Sequence, residues 1–256
     1  MASRSTATLE RPAPGKSKLR TRSARTACCG LFVVGTDTGV GKTHVASRIV
    51  ADLAARGLRV GVYKPAASGC RRVGRTVVSD DALALWRAAG QPGELRAVCP
   101  QRFEAPLAPH LAAREERKEI DTALLRRGID YWRRRSEIVI VEGAGGLMSP
   151  VGERHYVADL AEEFGYPLVV VAPNRIGAIN AALLTLIAAA ARTRPLPIAG
   201  IVLNGVLPPS EGDPAVLSNR LELAARCVPP VLAQLGHDAD AFDAPVDWLR
   251  LARPPK

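Results

Sequence analysis

From about residue 29 onward the chain alternates short apolar runs with longer stretches whose apolar residues recur at helical spacing. Residues 31–34, 59–63, 137–141, 168–171, 198–203 and 231–235 are compact runs rich in Val, Ile and Leu. Such runs, apolar on both faces, predict strands buried within a sheet. Between them, 43–56 carries apolar positions at Val45, Ile49, Leu53 and Ala54 and stops at Gly57, which predicts a helix with a glycine C-terminal stop. Further helices are predicted over 156–164, 177–192 and 215–227. Residues 121–135 read as one amphipathic helix, apolar at Leu124, Leu125, Ile129 and Trp132, and Ser79-Asp80-Asp81 reads as another helix start. The order of elements predicts an α/β fold: a doubly wound, mostly parallel sheet flanked by helices.

Three stretches fall outside this rhythm. Residues 70–78 read as a basic loop, and 91–109 as a Pro-punctuated surface excursion whose end, 106–110, closes over the site. Residues 1–28 are rich in Ser, Thr, Ala and Pro with no hydrophobic period, which predicts a disordered tail ahead of one α/β domain over 29–256.

Charge sharpens that division. Of the formal +10, most belongs to the tail, where Arg4, Arg11, Lys16, Lys18, Arg20, Arg22 and Arg25 face Glu10 alone. The tail lacks the amphipathic pattern of a targeting peptide and is read as a solvated leader, with nucleic acid not an expected partner. No apolar run reaches the ~20 residues of a membrane span, so no membrane partner is expected. Cys28, Cys29, Cys70, Cys99 and Cys227 are odd in number and lack metal or redox spacing, which points to free thiols and a cytoplasmic location.

The chemistry centres on Gly35-Thr36-Asp37-Thr38-Gly39-Val40-Gly41-Lys42-Thr43, a glycine-rich turn between a strand and a helix. In such a turn successive backbone N–H groups converge on one spot and the helix N-terminus adds positive potential, so the turn is a phosphate cradle of the P-loop NTPase kind. Lys42 is placed to reach the β- and γ-phosphates, and the Thr43 hydroxyl to sit on Mg²⁺. Five residues separate the outer glycine from Gly41-Lys42, one more than the usual four, which marks a subtype. Lys64, Asp80/Asp81 and Glu142 also fall at or near strand C-terminal ends, which share one edge in a doubly wound sheet. Glu142 suits a metal held across from Thr43. Asp81 suits the same ion, although both aspartates also suit helix capping. Lys64 offers transferring phosphate a second cation. His110, alone in a Pro-rich loop, reads as structural or substrate-orienting.

Taken together, residues 35–43, Tyr-Lys-Pro-Ala-Ala-Ser-Gly at 63–69, Ser-Asp-Asp-Ala-Leu at 79–83, Ala-Pro-His at 108–110, Val-Glu-Gly-Ala-Gly-Gly at 141–146 and Gly-Ala-Ile-Asn at 177–180 resemble the dethiobiotin synthetases. The resemblance covers about residues 29 to 206. It implies an ATP- and Mg²⁺-dependent cyclo-ligase of biotin biosynthesis that joins diaminopelargonic acid and CO₂ through a carbamate and a carbamic-phosphoric anhydride. By position, it implies that Lys42 and Lys64 stabilise the phosphoryl group, with Thr38 and Ser68 beside the carbamate and phosphate. The nucleotide falls to Gly39, Val40, Gly41, Lys42, Thr43, His44 and Asn204, the metal to Thr43, Asp81 and Glu142. Ser68, Gly145, Gly146 and Asn180 are left to the diamine. The resemblance also implies a homodimer, with the substrate's carboxylate tail reaching the neighbouring subunit near Gly177 and Asn180.

The chain departs from the family's pattern at Gly39, where many members carry Glu, and at Gly205, where an acid is frequent. Residues 232–236 replace a Leu-Gly-x-Ile-Pro type of segment. The rival reading is a regulatory ATPase of the ParA/MinD type that binds DNA or a partner. That group places a signature Lys where this chain has Asp37, and it has no use for residues 64–69.

Overall fold

A computed structural model describes residues 28–208 and 214–253. The predicted tail therefore lies outside the described residues, apart from Cys28 at its end. The chain begins with β1 (Cys29–Gly35), α1 (Lys42–Ala55), β2 (Val60–Tyr63), β3 (Ala66–Ala67), β4 (Arg71–Val73), β5 (Thr76–Val78) and α2 (Asp80–Ala88). After α3 (Leu95–Val98), β6 (Gln101–Arg102), α4 (Pro109–Glu115), α5 (Thr122–Arg127) and α6 (Ile129–Arg133) comes the long strand β7 (Ile138–Gly146). A small pair, β8 (Pro150–Gly152) and β9 (His155–Tyr156), precedes α7 (Val157–Phe164), β10 (Leu168–Pro173), α8 (Ala178–Ala190) and β11 (Ile198–Asn204). The described chain ends with α9 (Pro214–Arg226), β12 (Val231–Leu235) and α10 (Trp248–Leu251).

Six strands form one sheet in the order β12-β11-β10-β1-β7-β2, and every pairing in it is parallel. Its inner strands are buried on both faces, as their uninterrupted apolar runs demand: Leu31 to Val34, Ile138 to Val141 and Leu168 to Ala172 are all without exposed surface. From β1 the chain crosses to the edge strand β2, returns to β7 between them, and then passes over β1 to lay down β10, β11 and β12 on the other side. Right-handed connections then cover both faces with helices. Register places the strand ends together: Gly35 lies opposite Val171 and Gly146, Tyr63 opposite Val141, and Pro173 opposite Asn204. The loops leaving these strands therefore share one edge.

Three expectations are corrected. Residues 70–78 are not an irregular loop: β4 and β5 pair as an antiparallel hairpin, with Arg71 opposite Val78 and Val73 opposite Thr76. The hairpin is fastened by ion pairs from Arg71 to Asp80 and from Arg72 to Glu104, polar contacts that leave no hydrophobic rhythm to read. The helix expected over 121–135 is broken into α5 and α6 at Gly128. The Tyr63 hydroxyl lies 3.1 Å from the Leu124 carbonyl and 2.8 Å from that of Leu125, the oxygen that would otherwise accept from residue 129. Gly128 leaves room for the tyrosine, since a Cβ there would stand 2.3 Å from its hydroxyl. Finally, β7 does not end before Glu142 but runs through it to Gly146, so Glu142 is a strand residue with no exposed surface. Among the described residues, no helix is long and apolar enough to cross a membrane.

Candidate functional site

At the shared edge the chain leaving β1 turns through Gly39 (φ 74°) and Gly41 (φ 83°), left-handed conformations that favour glycine, and enters α1 with no side-chain cap on its first amides. Uncapped N–H groups at a helix N-terminus form an anion site, here continuous with the turn. The Lys42 ammonium lies 3.0 Å from the Asp37 carbonyl oxygen and donates to it, folding back over the loop. Burial lowers the Lys42 ammonium's pKa, with Glu142 offsetting part of the effect and Lys64 adding to it.

Opposite the loop stands a compact charge network. The Lys64 ammonium, 3% exposed as a residue, donates to Glu142 Oε1 at 2.6 Å and pairs with Asp81 Oδ2 at 2.7 Å. The Thr43 hydroxyl donates to the same Glu142 Oε1 at 2.8 Å. Burial alone would disfavour the Lys64 charge, but Glu142 and Asp81 outweigh it and raise the ammonium above the ordinary lysine value. Asp81 is the converse: burial pushes its carboxyl up, yet the Lys64 charge and hydrogen bonds from Lys64 and Thr43 hold it below the usual carboxylate range. Glu142 Oε2 is buried and has no partner. Of the paired aspartates, Asp81 faces this network, whereas Asp80 pairs outward with Arg71.

These groups line a cleft of about 810 Å³ together with Thr38, Gly39, Gly41, Ser68 and Gly145. Pro106, Leu107, Ala108 and Pro109 form its far wall, which puts residues 106–109 of the predicted closing segment at the site. Sequence reasoning missed Ser149. Its hydroxyl accepts from the Gly146 amide at 2.8 Å and lies 2.3 Å from where a Gly145 Cβ would stand, with Thr38 Oγ1 3.4 Å from the same point. The only sequence signal for it was its place three residues past the glycine run.

A family model described as an AAA domain matches residues 29–241. The curated "ATP-dependent dethiobiotin synthetase BioD" of Rhodopirellula baltica is 40% identical over 215 residues, covering 80% of this chain and 82% of its own. Its namesake from Anaeromyxobacter dehalogenans strain 2CP-C is 46% identical over 195 residues, covering 76% and 84%. The chain belongs to the dethiobiotin synthetase family. Among solved structures, a ParA family ATPase from Chlorobium tepidum superposes with a TM-score of 0.53 at 16% identity, covering 84% of this chain and 86% of its own, a likeness of fold alone.

The remaining positions that the dethiobiotin synthetase pattern implies stand outside the cleft lining. Asn204, 2% exposed at the end of β11, donates from Nδ2 to the Val40 carbonyl at 3.0 Å, and its Oδ1 is buried without a partner. A Cβ on Gly41 would meet that Nδ2 at 2.0 Å, so glycine is required there by contact as well as by conformation. His44 turns away from the phosphate loop: its Nε2 lies 2.9 Å from the Ala239 carbonyl oxygen. Gly146 backs onto the loop, where a Cβ would stand 3.3 Å from the Thr36 carbonyl. Asn180 is exposed in the first turn of α8. His110 Nδ1 is buried without a partner and lies outside the lining residues.

Proposed function

We propose that this chain is a cyclo-ligase that uses ATP to close 7,8-diaminopelargonic acid and CO₂ into dethiobiotin. One amine of the substrate adds to CO₂ and loses a proton, giving a carbamate. A carbamate oxygen then attacks the γ-phosphorus, releasing ADP and forming the carbamic-phosphoric anhydride. The second amine attacks the carbonyl carbon, expels phosphate and, on losing a proton, completes the cyclic urea.

The observation that carries this reading is the convergence of Lys42 and Lys64 with Asp81 and Glu142 on one cleft, at the mouth of a phosphate loop. Phosphoryl transfer asks mainly for positioning and charge stabilisation, and two cations flanking the loop supply both. Thr38 and Ser68 line the same cleft with hydroxyls that orient the carbamate. Gly145 and the Ser149 hydroxyl packed against it line the cleft where the diamine would lie. Asn204 Oδ1, buried and unsatisfied, suits the amino group of adenine.

The donor set fits magnesium. Thr43, Asp81 and Glu142 offer hard oxygens, and the unpartnered Glu142 Oε2 is an acceptor that a cation would satisfy. Such an ion would be held by one or two carboxylates plus nucleotide phosphate. When bound, Mg²⁺ supplies neutralisation of the β- and γ-phosphate oxygens.

Dimerisation is part of the proposal. Asn180, Leu184 and Ile187 follow one another at helical spacing along α8, Ile176 lies just before its N-cap Gly177, and the three apolar residues are well exposed. Leu217 and Leu221 are exposed on the neighbouring α9. A second copy covering this apolar stripe would bring its own Asn180 region toward the substrate tail.

The test is ATP hydrolysis by the purified chain with diaminopelargonate and bicarbonate, each omitted in turn. ADP should form only when both are present, with dethiobiotin in equal amount. Stimulation by DNA without either substrate would instead favour the ParA-type reading.

A further inference from the structure

The network at the cleft poses a conflict. Thr43, Asp81 and Glu142 are the oxygens that suit a divalent cation, yet the Lys64 ammonium already holds two of them, at 2.6 Å from Glu142 Oε1 and 2.7 Å from Asp81 Oδ2. Glu142 Oε1 also receives the Thr43 hydroxyl, so two donors occupy it. A magnesium ion takes its oxygens at about 2.1 Å in near-octahedral geometry, and an ammonium at hydrogen-bond distance competes with it for the same negative charge. Both are cations, and both are compensated by the same two carboxylates.

We propose that Lys64 serves as a stand-in cation, occupying the metal's oxygens in the nucleotide-free enzyme and excluding the metal until nucleotide arrives. The proposal rests on the metal reading given above and adds an order of events to it. Without nucleotide, an incoming dication would compete with a buried ammonium for its counter-charges: Lys64 is 3% exposed, and the fully buried Glu142 and the partly exposed Asp81 are the very groups the metal needs. Unpairing a buried ammonium is costly. Nucleotide phosphate changes the balance, because it offers the displaced ammonium a new anion at the phosphate loop. Metal entry and delivery of Lys64 to the phosphoryl group thus become one event. Glu142 Oε2 is left unpartnered beside the Oε1 that Lys64 and Thr43 hold, and is the acceptor an arriving cation would satisfy.

The test measures Mn²⁺ binding to the full chain by electron paramagnetic resonance of the free ion. Without nucleotide, Lys64→Gln should bind Mn²⁺ at least about tenfold more tightly than the parent, because two carboxylates are released from their internal cation. The double variant Lys64→Gln/Asp81→Asn should lose that gain. If Lys64→Gln fails to fold, the parent itself reports through the ¹⁵N resonance of the Lys64 ammonium. That signal should be protected without metal and shift when Mg²⁺ and a non-hydrolysable ATP analogue are added together, but not with Mg²⁺ alone at the same concentration. Unchanged Mn²⁺ affinity in a folded Lys64→Gln, or a shift produced by Mg²⁺ alone, overturns the proposal while leaving the metal reading intact if Mn²⁺ still binds with the analogue. Absence of Mn²⁺ binding in every state, analogue included, overturns both.

Discussion

Truncating Lys64 to alanine removes the ammonium that pairs with both Glu142 and Asp81 and leaves Lys42 as the lysine lining the cleft. Turnover of Lys64→Ala should fall by about 10³-fold or more, read as dethiobiotin formed per enzyme, while circular dichroism still reports a folded chain. A loss of only a few-fold would remove Lys64 from the chemistry. Ser149→Ala is milder: the Gly146 amide loses its acceptor and the glycine run loosens. A several-fold rise in KM for the diamine is expected, with KM for ATP unchanged, both from initial-rate kinetics. At this scale the sequence was legible where a residue type carries its own chemistry, as with Lys42, Thr43, Lys64, Asp81 and Glu142. Ser149 and the Asn204–Val40 bond were not, because a serine hydroxyl and an amide acquire meaning only from what the fold sets against them. For His44, which the family resemblance gives to the nucleotide, the structure adds a contact that sequence could not supply: its ring Nε2 lies 2.9 Å from the Ala239 carbonyl oxygen.

Elements read well wherever a hydrophobic period decided them. All six sheet strands were expected near their observed positions, because strands buried on both faces must be apolar throughout. The α5/α6 break escaped notice because its cause sits on β2: Tyr63 takes up the Leu125 carbonyl that an unbroken helix would use itself, while that of Leu124 keeps its bond from the Gly128 amide. Tyr63→Phe removes those contacts while keeping the ring. It should cost about 1 to 2 kcal/mol in urea unfolding, with the midpoint lowered and the slope unchanged. An unchanged midpoint would show that the carbonyls find other donors. The β4/β5 hairpin was equally hidden, since arginines and a threonine leave no apolar alternation to count, and its pairing with Asp80 and Glu104 is a tertiary matter.

For the molecule as a whole, the exposed stripe of Ile176, Leu184 and Ile187 calls for a partner of matching character. Ile187→Asp should yield monomers by analytical ultracentrifugation and raise KM for the diamine. Retention of the dimer would move the interface elsewhere. Removing residues 1–28 should leave turnover unchanged in the same assay, and lost turnover would give that basic segment a role in the reaction. Asn204 finally ties two regions of the molecule together. Its Nδ2 donates to the Val40 carbonyl and abuts Gly41, while its Oδ1 is buried without a partner and, on the proposed reading, is left for the adenine amino group. Whatever docks on that oxygen therefore pulls on the strap that cups the triphosphate. Swapping the purine for a pyrimidine should accordingly depress the speed of catalysis at saturation, and not merely weaken attachment, because the far end of the nucleotide helps set the shape of the near end.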